Sequence, residues 1–356
     1  MRSRQSTVTV YDIAARAECS IATVSRVING AQNIRPKILA RVKQAIDDLG
    51  YVPNGSAQQM ARKFTGVVGL VYRRWSEQEH VAAAGQDDSA RAQVVRKGIQ
   101  SLQFYDSLFR TVEEAAYLRG YLLLLAGVAN EDTPDAVLSL SGKCDGLILI
   151  GPVIADRDLA QLARQVPVVS IAHSPEVTDF PQVAVGNYAA MQALAGHMVQ
   201  VHGARRLAFI GGPEDNVDAV ERSRGVTDYA QANGILCEPL GRWAGDFSAG
   251  TAFDLVKRRW SEGGPFPDVL LCANDISASG AMAALGELGV RVPEDVAITG
   301  FDDMEIARLT SPPLTTIRQP MDLIARAAID ALLSAADDRS VVIAGEMVVR
   351  QSCGCK

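Results

Sequence analysis

Hydrophobic positions in the first fifty residues recur at helical spacing in three short runs. In "TVYDIAARA", Thr9 stands three residues before Asp12, a capping-box pattern, and Ile13, Ala14 and Ala17 then share one face, so a helix is expected from about Val10 to Ala17. "ECS" reads as a tight turn with Ser20 as the next N-cap, and a second helix from Ile21 to about Asn29 turns Val24, Val27 and Ile28 inward before Gly30. A third opens at Pro36, repeats Ile38, Val42, Ala45 or Ile46 and Leu49, and stops at Gly50. Two short helices joined by a three-residue turn read as a helix-turn-helix. After Thr65 the pattern changes. "GVVGLVY", "YLLLLAG", "DGLILIG", "VPVVSIA", "RRLAFIGG", "PDVLLCAND" and "DVAITGFDD" read as buried strands, and the stretches between them have helical period and length. Such alternation predicts parallel sheets covered on both faces, and the length suffices for two, the second beginning between "QVAVGN" and "GARRLAFIGG".

Charge sharpens this division. Residues 1–63 hold ten Lys/Arg against four acids, a balance of +6, which leaves −12 on the remainder. That asymmetry suits a small module for a polyanion joined to an acidic body with a different task. The amino-terminal "MRSRQSTVTVYD" has no apolar h-region and no later stretch reaches the length of a membrane span, so a cytoplasmic location and no membrane partner are expected. Six cysteines are scattered apart from the final "CGC". One intervening residue makes a poor disulfide, and no second Cys/His pair supplies zinc spacing, so unpaired thiols, no metal and no cofactor are expected.

The second helix carries the first candidate chemistry. A recognition helix enters the major groove N-terminus first, so its early side chains must be slim. Ile21 and Ala22 suit thymine methyl groups, Arg26 can make a bidentate contact to guanine, and Ser20, Thr23, Ser25 and Asn29 can bind phosphate. The alternative is a small helical hairpin that packs on the body.

"ATVSRVIN" and "LGYVPN", within a match running from Val8 to Lys63, resemble the DNA-binding head of the lac repressor and galactose repressor family of bacterial transcription regulators. The resemblance implies that "SAQQMARK" is a hinge helix which orders on operator DNA, with Asn54, Ala57 and Gln58 in the minor groove. Met60 then stands where the family usually has a leucine wedge. An apolar wedge can open a base step and kink the duplex. Gly55 and Ser56 favour helix less than the residues commonly found there, so the isolated hinge is expected to be disordered.

The body resembles the same family through "RRLAFIGGPED", "LLCANDISASGAMAALGELGVRVPEDVAITGFDD" and "SPPLTTIRQPM". The implied fold is an all-α helix-turn-helix head plus an α/β body of two doubly wound parallel-sheet lobes of the type I periplasmic-binding-protein kind. The corresponding divisions are 1–51 for the head, 52–65 for the hinge, and 66–356 for effector binding and dimerisation. Lobe 1 is expected at about 66–201 and 319–336, and lobe 2 at about 202–318 and 337–356. Ligands of open α/β sheets sit beyond the carboxyl ends of strands, where "CAND" and "GFDD" terminate. Carried over by resemblance, the effector residues are Arg222, Phe247, Asn274 and Asp302, with Phe104, Tyr105, His173 and Gln319 as further cleft candidates. Their chemistry suits a polyol or glycoside, and a nucleoside would use the same types.

Three departures from the family pattern bear on the cleft. Gly186 stands where an acid usually precedes Asn187, so one hydroxyl acceptor is missing. The link over 73–103 is rebuilt, carrying Arg73, Arg74, Arg91, Arg96 and Lys97 against Glu77, Glu79, Asp87 and Asp88; it reads as a surface loop, a lid or a dimer contact. The customary Asn-Pro before the aromatic pair is Leu102-Gln103.

The four histidines occupy no metal or triad signature, with His197 and His202 read as capping or solvated, and no nucleophile elbow, P-loop or dinucleotide fingerprint occurs, so an enzyme is not expected. The expected function is a homodimeric repressor of a pseudo-palindromic operator, controlled by a sugar-like effector between the lobes. A DNA-binding regulator without an effector and a solute-binding protein are the alternatives. "VVRQSCGCK" adds no heptad helix, which favours a dimer over a tetramer.

Overall fold

The computed structural model describes residues 8–28, 31, 33–51, 64–73, 104–128, 134–172, 180–334 and 340–356. The chain divides into two compact units, Met1–Thr65 and Gly66–Lys356.

In the first unit the three expected helices are α1 (Val10–Arg16), α2 (Ile21–Ile28) and α3 (Pro36–Leu49). Helix α1 starts where the Asp12 carboxylate accepts hydrogen bonds from the Thr9 amide and hydroxyl, both at 2.7 Å. Those bonds hold Asp12 below its ordinary pKa. Ser20 Oγ accepts from the Thr23 amide at 3.2 Å, satisfying one orphan donor of α2. The turn between α1 and α2 places Glu18 in the left-handed region at φ 50°, where Arg41 Nη2 donates to its carbonyl at 3.1 Å. Ile13, Val24 and Val42, one from each helix, are fully buried together with Ala14, Ala17, Val27 and Ala45. Burial of each of the three aliphatic side chains contributes about 1.5–3 kcal/mol.

Among the described residues the second unit holds two parallel sheets. The six-stranded sheet runs from β1 (Val67–Arg73), β2 (Leu122–Val128), β3 (Gly146–Ile150), β4 (Val168–Ile171) and β5 (Gln182–Val185) to a late strand, Val341–Ile343, in the order Val341–Ile343, β5, β4, β3, β1, β2. The four-stranded sheet contains β6 (Arg206–Ile210), β7 (Leu236–Cys237), β8 (Val269–Cys272) and β9 (Ala297–Thr299), in the order β7, β6, β8, β9. The central strands β3, β4 and β8 are buried throughout, which explains their unbroken apolar runs.

Helices that matter for the cleft are α4 (104–117), α5 (Asn187–Gln200), α6 (Val217–Ala232), α7 (Ala249–Ser261), α8 (Asp275–Glu287) and α9 (Met321–Leu333). Apolar clusters cover both faces of each sheet, and one of them continues from Val68 and Ile148 in the first to Phe209 and Leu271 in the second.

The lobe boundary differs from the expected one at two segments: Asn187–Gln200, expected in lobe 1, packs against α6 of the second lobe, where the Tyr188 hydroxyl donates to Asp228 at 3.1 Å, and the last segment crosses between the lobes. Residues 337–356 were assigned to the second lobe, yet Val341–Ile343 pairs in parallel with Val183–Val185 of the first sheet. The strand is three residues long, too short for a period to show. Only afterwards does the chain return, as Glu346–Val348 pairs antiparallel with Thr316–Arg318. The two lobes are therefore joined by three passages, at Gly186, at Gln319–Pro320 and at Ala344–Gly345. These passages adjoin one another. A Cβ on Gly345 would lie 2.6 Å from Ile317 Cγ2, and one on Gly186 would lie 3.9 Å from the Cα of Ala344.

Candidate functional site

Helix α2 buries Val24 and Val27 and turns its other face outward. Ile21 is 41% exposed, Ser20, Ala22 and Arg26 are exposed, and Thr23 and Ser25 are half-buried. An isoleucine and an alanine facing water on the first turn, with an arginine one turn later, do nothing for the core of this unit. They form a slim apolar and cationic ridge able to approach a surface closely. Ser20 serves the helix as N-cap and also faces Thr23 Oγ1 at 2.9 Å, so its hydroxyl is partly committed within the head. Arg26 Nη2 reaches the Asn33 carbonyl at 3.4 Å, a long contact that leaves the guanidinium available. Tyr11, 67% exposed on α1, belongs to the same class of outward apolar residue and escaped the sequence reading because it falls within the first amphipathic turn. Asn29, Asn54, Ala57, Gln58 and Met60 lie outside the described residues, as does His173 of the cleft.

The cleft between the lobes of the body comprises two confluent chambers of about 240 and 190 Å³ that share Phe104, Tyr105, Asn216, Asp218 and Phe247. Its walls differ in character. From the first lobe come Phe104, Tyr105, Leu108, Ile150, Ile171 and Val185; from the second come Asp218, Arg222, Asp246, Ser248, Asn274 and Asp302. The second-lobe groups lie beyond the ends of β6, β8 and β9, as an open α/β sheet requires. The aromatic wall is packed from behind: Tyr105 lies 5.8 Å from Phe109 in a stacked pair, and Tyr72 lies 4.8 Å from Phe109. Burial raises the Tyr105 phenol above its ordinary pKa, the nearby Arg73 opposing this.

Arg222 and Asp302 form the centre of the polar wall. Arg222 is 3% exposed; its Nε donates to Asn187 Oδ1 at 2.8 Å and its Nη1 to the Ala273 carbonyl at 2.7 Å, while the guanidinium lies 3.7 Å above the Phe301 ring. Asp302 Oδ1 stands 3.7 Å from Arg222 Nη1 and accepts from Gln319 Nε2 at 2.6 Å. Burial nevertheless pushes the Asp302 carboxyl up to about 6, against the pull of Arg222 and Gln319. The backbone here is strained: Phe247, Asp302 and Asp303 have φ of 65°, 109° and 53°. Left-handed conformations at non-glycine residues cost about 1–3 kcal/mol each and persist where surrounding contacts over-determine them. At Asp302 the amide donates to the Ile317 carbonyl at 2.7 Å. At Phe247 the carbonyl accepts from Asn274 Nδ2 at 3.1 Å.

The adjacent acids of "FDD" have separate tasks. Asp302 faces the cleft, whereas Asp303 accepts from Arg318 Nε at 2.7 Å and from Arg350. Burial alone would raise Asp303, but these bonds outweigh it and hold the group below its ordinary value. Asn274 lines the cleft but spends both ends of its amide internally, its Oδ1 capping α8 through the Ser277 amide at 2.8 Å. Its place there is to fix Phe247 and the helix start. Gln319 lines the larger chamber and also donates to Asp302.

Residues the sequence reading missed are Asn216 and Asp218 at the start of α6, Asp246, and Asn187 below Arg222. Asp218 lines both chambers and accepts from Asn187 Nδ2 at 2.9 Å. It supplies a carboxylate to a cleft from which the acid before Asn187 is absent, Gly186 occupying that position. Its signal was present: Asp218 stands four residues before Arg222, one turn of helix away, with Nη2 and Oδ2 3.9 Å apart.

Comparison with known proteins agrees with this two-part construction. Residues 9–54 match the family described as "Bacterial regulatory proteins, lacI family", and residues 196–353 match a "Periplasmic binding protein-like domain". The lactose operon repressor of Escherichia coli (strain K12) is 30% identical over 343 residues, covering 94% of this chain and 86% of that protein. Among solved structures, the lac repressor dimer bound to operator and the anti-inducer ONPF is similar with a TM-score of 0.78 and 26% identity, over 98% of this chain and 99% of that one. The complex of the transcriptional regulator CelR with cellobiose has a TM-score of 0.65 at 28% identity, over 97% and 99% of the two chains. Among the described residues no helix is long and apolar enough to cross a membrane.

Proposed function

Because the chain belongs to the lacI family of bacterial regulatory proteins, we propose that it is a repressor that grips operator DNA as a homodimer and changes that grip when a small hydroxyl-bearing molecule occupies its cleft. The observation that carries the effector half of this reading is the pairing of Arg222 with a buried, strained Asp302 opposite an aromatic wall. A carboxylate and a guanidinium can hold several hydroxyls in opposite hydrogen-bond senses, and Phe104, Tyr105 and Phe247 can cover an apolar face. Of the related structures, one contains cellobiose and another the anti-inducer ONPF, and the cellobiose complex supports a sugar as the first candidate here. The first-lobe wall adds a preference. With aliphatic residues behind the aromatics and no acid at Gly186, it favours a ligand with an apolar or flat flank, such as an aryl or alkyl glycoside, over a bare polyol.

On DNA, Ile21, Ala22 and Arg26 read base edges while Ser20, Thr23, Ser25 and Asn29 hold phosphates, and Asn54, Ala57, Gln58 and Met60 form the minor-groove hinge. Coupling follows from linkage: an effector that binds one lobe arrangement better loses affinity when operator binding favours the other, by the same factor. The test is selection of operators from random duplex DNA with the full chain, then titration of the selected duplex with glycosides. The expected result is a two-fold symmetric site whose affinity shifts on adding a ligand, with the shift absent in Asp302→Ala. A site bound identically by wild type with every ligand that binds the protein would refute effector control.

A further inference from the structure

Four side chains far apart in sequence converge outside the cleft. His197, in the last turn of α5, and His202, just beyond it, meet Cys353 and Cys355 of the final turn, with all four ligand atoms within 4.8 Å of one another. The sequence reading gave these histidines capping or solvated roles and expected no metal, because no Cys/His pair of zinc spacing was visible. The fold corrects the premise by bringing His-x4-His against Cys-x-Cys. From this convergence we propose that the chain carries a structural zinc site with His197, His202, Cys353 and Cys355 as its ligands.

The distances among His197, His202 and Cys355 match three edges of a zinc tetrahedron. Zinc bonds of about 2.3 Å to sulfur and about 2.0–2.1 Å to nitrogen imply about 3.3 Å between two nitrogens and about 3.6 Å between nitrogen and sulfur. The two Nε2 atoms are 3.2 Å apart, and Cys355 Sγ lies 3.6 Å from His197 Nε2 and 3.3 Å from His202 Nε2. Cys353 Sγ now contacts the Arg350 carbonyl at 3.2 Å; coordination takes its proton and turns the sulfur to the metal. Both imidazoles present the same nitrogen to one point, an arrangement that hydrogen bonding between two neutral rings does not require.

The frame is rigid and specific. Ser352, immediately before Cys353, donates to the Ile298 carbonyl at 2.6 Å and accepts from the Thr315 amide at 2.8 Å. Gly354 sits at φ 102°, and a Cβ there would come 3.3 Å from His202 Nδ1, so "CGC" needs its glycine for the second cysteine to turn back. Two nitrogens and two sulfurs select zinc over the harder cations, and four protein ligands leave no open position, which makes the site structural. Its effect is to staple the last residues of the chain to the second lobe.

The test uses the purified full chain, reduced and freed of metal by a chelator. Cobalt(II) is added as a spectroscopic probe, then zinc. The expected result is one cobalt per chain with the intense visible bands of tetrahedral cobalt and a thiolate-to-cobalt charge-transfer band, both abolished by zinc. With zinc bound, the melting temperature rises by several degrees. Cys355→Ser and His202→Gln each weaken zinc binding by roughly 10-fold or more, the loss even outer partners of ligands cause, with operator binding as the folding control. Weak octahedral cobalt absorption, no charge-transfer band, or full binding by both variants would overturn the site.

Discussion

Asp302→Asn separates the folding cost of the cleft from its use. In the native chain burial moves the carboxyl from an ordinary value near 3.8 to about 6. The folded state therefore holds a proton more tightly than the unfolded state. Stability is unaffected well below the unfolded value, falls as pH rises between the two values, and levels off above the folded one. The shift corresponds to about 3 kcal/mol at pH 8 and about 1 kcal/mol at pH 4.5. Asparagine keeps an oxygen for Gln319 Nε2, now 2.6 Å from Asp302 Oδ1, but carries no charge to desolvate. Losing the 3.7 Å pairing with Arg222 offsets part of the gain, although Arg222 retains Asn187 and the Ala273 carbonyl. Geometric costs of the substitution cancel between pH values, and buried Asp275, whose carboxyl is raised by burial and then by the Asp302 charge, contributes a pH dependence of the same sign when that charge is removed. The stability of Asp302→Asn relative to wild type should rise by about 2 kcal/mol from pH 4.5 to pH 8 and then plateau. Urea unfolding followed by fluorescence suits the measurement, since Trp243 and Trp260 both lie in the second lobe. A difference that is flat across this range, or one that shrinks as pH rises, would show that pairing outweighs burial and would sink the reasoning.

If an effector hydroxyl donates to ionised Asp302, effector affinity should rise about tenfold between pH 5 and pH 7 in calorimetric titrations, and a pH-independent affinity would remove the carboxylate from the contact. Arg26→Ala should cost about 1–3 kcal/mol on the selected operator and relax preference at one base pair; equal loss on every duplex would make Arg26 a phosphate contact. Arg259→Met leaves Glu238 buried without its partner, now 2.8 Å from Arg259 Nη2, and should destabilise the second lobe by about 3–5 kcal/mol in urea at neutral pH. A loss below about 1 kcal/mol would mean that Trp243 Nε1, at 2.9 Å, suffices for Glu238.

Legibility in the sequence followed the range of the interactions concerned. The three head helices were readable because capping and period are local: Thr9 with Asp12, Pro36 at a start, Gly50 at a stop. Long buried strands were readable because both faces are covered, so β3 and β4 appear as unbroken apolar runs. Strands of three residues, such as Val341–Ile343, carry no period and are placed by partners more than 150 residues away. The same limit applied to the site. Arg222, Phe247 and Asp302 were reached through resemblance, since nothing local marks a left-handed Phe247. Asp218 was missed although a turn of helix links it to Arg222. The His/Cys cluster was invisible because its two halves are separated by the whole second lobe and meet only when that lobe closes on itself.

The three passages between the lobes have a mechanical consequence. Two rigid bodies have six relative degrees of freedom, and three short adjacent covalent tethers suppress sliding, separation and most rotations, leaving bending about the line they share. The cleft then reports occupancy through a single opening angle. Ligands of differing shape would be ranked along that one coordinate, so a compound that wedges the lobes apart and one that draws them together are opposite settings of the same joint. Release and reinforcement of DNA binding need no separate devices in this chain.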